Sequence, residues 1–275
     1  MFKLDYKVEN IYCVGDIHGD FNLITWSIKN NEIKDTLLIF CGDIGFGFEK
    51  YEYYTQTLTR IERVCSDNNV YCVFFRGNHD DPSYFNGKKI KTDHIIAVPD
   101  YTVLNVETPN DNKVFLLVGG GLSIDRRFRI ENQYYSDAKY AKYHNISIEQ
   151  ASIENERRGY WADELPVYNE DAINDIEANG IIINYVCSHA APAFVFPLTK
   201  DGLASWMAGD LHLSEDADRE RGALTNVYNR LKDKHYIRAW FYGHYHKNHF
   251  EEFNDIDFHC VDMARNGKLS VKEVI

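Results

Sequence analysis

The first third of the chain alternates between two periodicities, and this restricts the fold more than any other feature. IYCVGD (Ile11–Asp16) is a short apolar run closed by glycine, the mark of a buried strand. FNLITWSIKNN then spaces Phe21, Ile24 and Ile28 as a helix does. TLLIFCGD (Thr36–Asp43) gives a second strand, the stretch Glu49 to Cys65 carries Leu58, Ile61 and Val64 at helical offsets, and VYCVFFRGN (Val70–Asn78) gives a third strand. Strand, helix, strand, helix, strand implies parallel pairing through crossover helices, with both sheet faces covered.

The rest of the chain reads as more strands broken by two insertions. HIIAVP, YTVLNVE and KVFLLVGG have strand character, with a turn at Pro109 to Lys113. A polar insertion runs from about Leu122 to Asn169, with a helix expected in Ser147–Arg158, and EDAINDIEA reads as a further helix. IIINYVCSH (Ile181–His189) is a strand. A second insertion, Ala193 to Lys234, holds an acidic-basic helix, IRAWFYGHYH (Ile237–His246) is another strand, and NHFEEFNDIDFHCVD suggests a closing hairpin. No repeat or Pro/Gly/Ser linker divides the 275 residues, so a single domain over 1–275 is expected.

Composition narrows the partners. Net charge is −12, and the basic runs are short, RRFR (Arg126 to Arg129) and the pair Arg157 and Arg158, which disfavours long nucleic acid. No apolar run approaches the roughly 20 residues of a membrane helix, and MFKLDYKVEN lacks a signal peptide's apolar centre; a cytoplasmic location is expected. Six cysteines include no C-x-x-C pair, and Cys13, Cys41, Cys72 and Cys187 fall inside strand-like runs, where Cys is a small core residue rather than a disulfide or zinc ligand.

In parallel α/β sheets, ligands gather beyond the carboxyl ends of the strands. At those ends stand GDIHGD (Asp16, His18), CGD (Asp43), RGNHD (Asn78, His79, Asp80), CSHAAP (His189) and GHYH (His244, His246). One D-x-H is weak, because solvated turns contain it often. Five such blocks are strong. The mixed oxygen and nitrogen set suits Mn, Fe or Zn better than Ca or Mg.

With these blocks in order from Ile11 to about His246, the sequence resembles the calcineurin-like metallophosphoesterases. The resemblance implies two stacked mixed β-sheets flanked by helices, and two divalent metal ions. Asp16, His18 and His246 would hold one ion, Asn78, His189 and His244 the other, and Asp43 would bridge both. His79 matches the family's catalytic histidine, a proton donor to the leaving oxygen or a stabiliser of the transition state. The Ser/Thr protein phosphatase branch carries an Asp three positions after the bridging Asp, and an Arg in the same motif. Here Phe46 stands at the first position and CGDIGFGFEK has no Arg, which weakens a protein-phosphatase assignment.

Substrate contacts are open to two readings. Arg76 matches an Arg of that branch, or forms a structural ion pair. Arg126, Arg127 and Arg129 follow the strand end at GGGLSID and would reach a phosphate, or form a solvated cluster on a loop. Trp161 and Glu164 would cap the pocket, or bury an aromatic under a loop. His94, His144, His212, His235, His249 and His259 belong to no motif. The expected activity is phosphoester hydrolysis, leaning to monoesters because a dianion demands more cationic stabilisation. A nucleotide or cyclic-nucleotide phosphodiesterase is the alternative, and a metal-free interaction scaffold is a third reading that intact ligand positions argue against. A phosphorylated small molecule, nucleotide or phosphoprotein is the expected partner.

Overall fold

The apolar runs of the first third form consecutive parallel strands in the computed structural model, which describes residues 1–275. Strand β1 (Lys3–Lys7) leads into β2 (Asn10–Val14), helix α1 (Asn22–Asn30), β3 (Thr36–Phe40), α2 (Tyr51–Asn68), β4 (Val70–Phe74) and β5 (Ile95–Ala97). Strands β2 to β5 pair parallel, with Cys13, Ile39 and Val73 level across three of them. All five residues of β3 are buried, as a strand covered on both faces requires. Its alternate side chains serve two cores. Leu37 and Ile39 face the space between the sheets, while Leu38 and Phe40 pack with Ile24, Ile28, Leu58 and Ile61 of α1 and α2.

After β6 (Thr102–Glu107) and β7 (Asn112–Val118) come α3 (Arg126–His144), α4 (Ile148–Glu154), α5 (Glu170–Ala178) and β8 (Tyr185–Ser188). The second insertion contains α6 (Ala204–Met207) and α7 (Leu213–Leu231), followed by β9 (Ala239–Tyr242), β10 (His249–Phe253), β11 (Ile256–Cys260) and β12 (Val271–Glu273). The result is two mixed sheets, ordered β12-β2-β3-β4-β5 and β1-β6-β7-β8-β9-β11-β10. Ile11, Leu37, Ile39 and Val73 of the first meet Leu104, Phe115, Leu117 and Phe241 of the second. Helices α5 and α7 cover the outer face of the larger sheet through Ile173, Ile176, Leu224 and Val227. Each such side chain contributes roughly 1.5–3 kcal/mol on burial. No helix is long and apolar enough to cross a membrane. All six cysteines are buried and free.

Four elements differ from the sequence reading. RRFR opens helix α3 instead of lying on a loop. The helix buries only Asp137 and Ala141, so it carries almost no apolar stripe to announce it. Strands β1 and β12 were not expected, because both sit at sheet edges and are largely exposed or half-buried. The run Ile181–His189 pairs only over Tyr185–Ser188; ahead of that stretch, the Ile183 N–H donates to His235 Nδ1 (3.1 Å) instead of to a neighbouring strand.

Candidate metal centre

The turns that follow β2, β3, β4, β8 and β9 converge on one crevice. Its two buried carboxylates, Asp16 and Asp43, are 0% and 1% exposed. Backbones approach them so closely that only glycine fits: a Cβ on Gly243 would lie 2.3 Å from Asp16 Oδ1, and one on Gly77 2.1 Å from Asp43 Oδ1. His18, Asp43, His244 and His246 all have positive φ, between 45° and 68°. Asp and His tolerate that region better than most residues, at a cost of order 1–3 kcal/mol each, and such strain gathers at functional sites.

His18 Nε2 and His246 Nε2 lie 3.0 Å apart, and His246 Nε2 is 3.2 Å from Asp16 Oδ2. Donor atoms of Asp16, His18, Asp43 and His246 all fall within 4.8 Å of one another. On the other side of Asp43, His189 Nε2 is 3.2 Å from its Oδ1 and 2.9 Å from Asn78 Oδ1. His189 Nδ1 donates to the Cys41 carbonyl (2.7 Å), which leaves Nε2 free to coordinate. His244 packs against His189, the rings tilted and their centroids 4.8 Å apart.

This donor set fits metal ions. Ion-pair partners of Asp16 and Asp43 are histidines throughout, with no Lys or Arg among them. Buried carboxylates without a cationic side chain need another cation. Burial works against Asp43 as an anion, yet His189 and His79 hold its pKa well below the usual range. Burial alone would lower His189, but Asp43 raises it to about 10. The crevice therefore favours positive charge at its centre.

Supporting residues explain the rigidity. Asp80, fully buried, accepts backbone N–H bonds from Ile44, Gly45, Phe46 and Gly77 at 2.7–3.1 Å, tying the Asp43 turn to the Asn78 turn. Burial and the Asp43 charge push its pKa up to about 7, against four N–H groups that favour the carboxylate. Asn78 Nδ2 donates to Ser123 Oγ (3.0 Å), which donates to Glu164 Oε2 (2.6 Å), so Oδ1 of Asn78 is turned to the crevice. Burial raises Glu164 to about 8. From α7, Glu220 Oε1 accepts the Leu122 N–H (2.7 Å) and lies 3.3 Å from His244 Nε2. Asp80 stands in RGNHD, but the motif does not reveal its anchoring role. Ser123 and Glu220 sit in insertions without a motif, and nothing in DRER (Asp218–Arg221) marks Glu220.

His79 stands at the edge of the crevice, its Nε2 3.7 Å from Asp43 Oδ2. Arg129 Nη2 donates to that Nε2 at 3.3 Å, so the ring proton is on Nδ1. Burial and the guanidinium together lower His79 to about 4, against the pull of Asp43. Phe46 packs among Phe21, Tyr54 and Tyr84 in the aromatic core.

Of the four expected substrate arginines, the fold brings only Arg129 to the cleft. Arg76 is held by Asp100 (2.8 and 3.0 Å) and by the carbonyls of Asp163, Glu164 and Leu165, the structural alternative of the sequence reading. Arg126 is locked between Asp210 (2.5 and 3.0 Å) and Asp216 (2.6 Å), and Arg127 turns to Glu131 and the Gly209 carbonyl. Trp161 is a buried aromatic stacked on Phe48.

The family model for calcineurin-like phosphoesterases matches residues 9–248. The chain belongs to this family. This phosphoesterase is thus a phosphoester hydrolase with a cluster of Asp and His residues able to bind metal, in a family that typically works with two metal ions. Among solved structures it is similar to phosphopantetheinyl hydrolase from Mycobacterium tuberculosis (12% identity, 98% of this chain and 96% of that one, TM-score 0.44). It is also similar to a dimetal phosphatase from Danio rerio (12% identity, 93% and 87% coverage, TM-score 0.46). No curated protein matches the phosphoesterase in sequence.

Proposed function

We propose that the chain hydrolyses phosphomonoesters at a dinuclear metal centre. In this reading Asp16, His18 and His246 hold one ion, Asn78, His189 and His244 the other, and Asp43 serves both. Bound there, divalent ions supply Lewis acidity and an activated water at neutral pH. The chain's own residues do the rest. Asp80 and the Ser123–Glu164 pair hold the turns so that Asp43 and Asn78 keep their aim. In this reading His79, beside Asp43, would stabilise the leaving oxygen by a hydrogen bond, and the Arg129 guanidinium at its Nε2 favours the neutral ring.

The observation that carries the monoester reading is Arg129, whose Nη2 lies 3.3 Å from His79 Nε2. Asp125 (2.6 Å to Nε) and the Gly159 carbonyl (3.2 Å to Nη1) fix the guanidinium in place, with Nη2 toward His79. A fixed cation beside the catalytic histidine favours a phosphoryl group with two negative charges over one with a single charge. Arg129→Ala should lower kcat/KM for a monoester about 10- to 150-fold, as loss of a charge-assisted contact does. A matched diester with the same leaving group should lose much less. An unchanged ratio of the two would favour phosphodiester hydrolysis instead.

A further inference from the structure

The metal centre occupies one end of a cleft of about 1130 Å³. A phosphoryl group needs only a small part of that space; the volume suits a ligand of drug size. The cleft's lining sets a group of apolar side chains among polar ones. Phe48 sits beside His79, ring centroids 6.4 Å apart, and Ile124, Phe196, Leu198, Leu203 and Trp206 supply apolar wall to the same cleft. Ile124, Leu198 and Trp206 are 37%, 68% and 42% exposed, so this wall is held open to solvent and not packed away.

Cationic groups along the cleft are already engaged. Lys200 Nζ pairs with Asp218 at 2.6 Å and with the Ser214 carbonyl at 3.0 Å. Arg221 binds the carbonyls of Pro192, Val195 and Pro197, holding the segment that carries Phe196 and Leu198. Arg129 belongs to the phosphoryl end. The acids Asp125, Asp218 and Glu220 line the same space. A second phosphate or carboxylate on the leaving group would meet these acids with no free cation to receive it. An uncharged hydrocarbon body would remove apolar wall from water.

We propose that the leaving group is an uncharged, largely apolar alcohol, aliphatic or aromatic, seated against Phe196, Leu198 and Trp206 while its phosphoryl group lies at the metal centre. The inference rests on the phosphomonoesterase reading above and adds the substrate class to it. Only the 193–206 segment and Phe48 are involved in the distinction, so the metal-binding turns act on any phosphoryl group and the wall selects among alcohols.

The test is a series of n-alkyl phosphates from ethyl to octyl, hydrolysed by the metal-reconstituted full chain. Leaving-group basicity is nearly constant across the series, so chemistry is held fixed while apolar area grows. kcat/KM should rise about fourfold per methylene until the wall is covered. A parallel calorimetric titration with the non-hydrolysable ethyl- and octylphosphonates should give tighter binding and a more negative heat-capacity change for the octyl compound. Leu198→Ser with Trp206→Ser, both at exposed positions, should flatten both dependences, octyl phosphate losing far more kcat/KM than ethyl phosphate. A flat series, a preference for glycerol phosphate or a nucleoside diphosphate over octyl phosphate, or a slope untouched by the double variant would overturn the proposal. Turnover of ethyl or p-nitrophenyl phosphate with a flat series would leave the phosphatase reading standing, whereas no hydrolysis of any monoester would remove that reading itself.

Discussion

Asp80 shows how one buried carboxylate can position the residues of a candidate metal site. Its two oxygens collect four backbone N–H groups from the turns that carry Asp43 and Asn78. An amide in its place keeps the shape but presents an NH₂ to some of those donors. Asp80→Asn should therefore cost about 2–4 kcal/mol of stability, read from the urea midpoint. Metal affinity should weaken with it, since both turns lose their common anchor. A variant of unchanged midpoint and affinity would show that the donors find water instead. At this scale the sequence is most informative where a residue type is rare in its setting. Asp, His and Asn are conspicuous at the ends of apolar runs, and the fold brings Asp16, His18, Asp43, Asn78, His189 and His246 together. Arginines are common on surfaces and have long reach, so RRFR could not be divided by pattern into the one side chain that meets His79 and the ones that pair with Asp210, Asp216 and Glu131.

Helix α7 links the second insertion to the crevice through Glu220, and it does so from a helix face otherwise committed to burial. A carboxylate 3.3 Å from His244 Nε2 helps to orient the ring. Glu220→Gln keeps the acceptor for the Leu122 N–H while removing the charge. Metal affinity should fall about 10- to 100-fold with little change in thermal stability of the metal-free protein. Equal affinity in the variant, by titration of apo protein, would make Glu220 a structural residue for the Leu122 turn alone. Strand β11 makes a different prediction. His259 is stacked between Phe241 and Phe250, its partners on β9 and β10, with centroids 5.1 and 4.9 Å away. Burial, with help from the Lys272 charge, pushes its pKa from 6.5 to about 4. Between those values the unfolded chain takes up a proton that the folded chain refuses. Its contribution should thus cost stability as pH falls from about 6.5 to 4 and level off below. The stability gap between His259→Phe and the parent should widen over that window; a constant gap would show that the ring is protonated in place. Elements were legible in proportion to their periodicity. The buried strands and α2 declared themselves, whereas α3 is held by polar contacts such as Gln133 and Asn155 to Asp137, and no hydrophobic period records those.

Across the whole molecule, the crevice is also a seam. Asp16, Asp43 and Asn78 follow strands of the five-stranded sheet, and His189, His244 and His246 follow strands of the larger one. The sheets already share the core around Ile39, Phe75, Leu117 and Phe241, so the chain is expected to unfold as one unit over residues 1–275. Ions held jointly by both sheets, as the proposed ligand set requires, would bind the folded chain and not the unfolded one. At a free metal concentration 100 times Kd they add about 2.7 kcal/mol to the stability per ion. Chelation should accordingly lower Tm in a single shifted transition, by an amount that tracks the metal concentration on restoration. Asp43→Asn removes the carboxylate common to both halves of the crevice, and with it most of the negative charge that faces His189 and His79. In that variant Tm should no longer respond to added Mn, Fe or Zn, and turnover should be lost. Two separate transitions on chelation would instead mean that the sheets fold apart and that the metals, not the shared core, join them. A full metal-dependent shift in Asp43→Asn would place the ions elsewhere in the molecule.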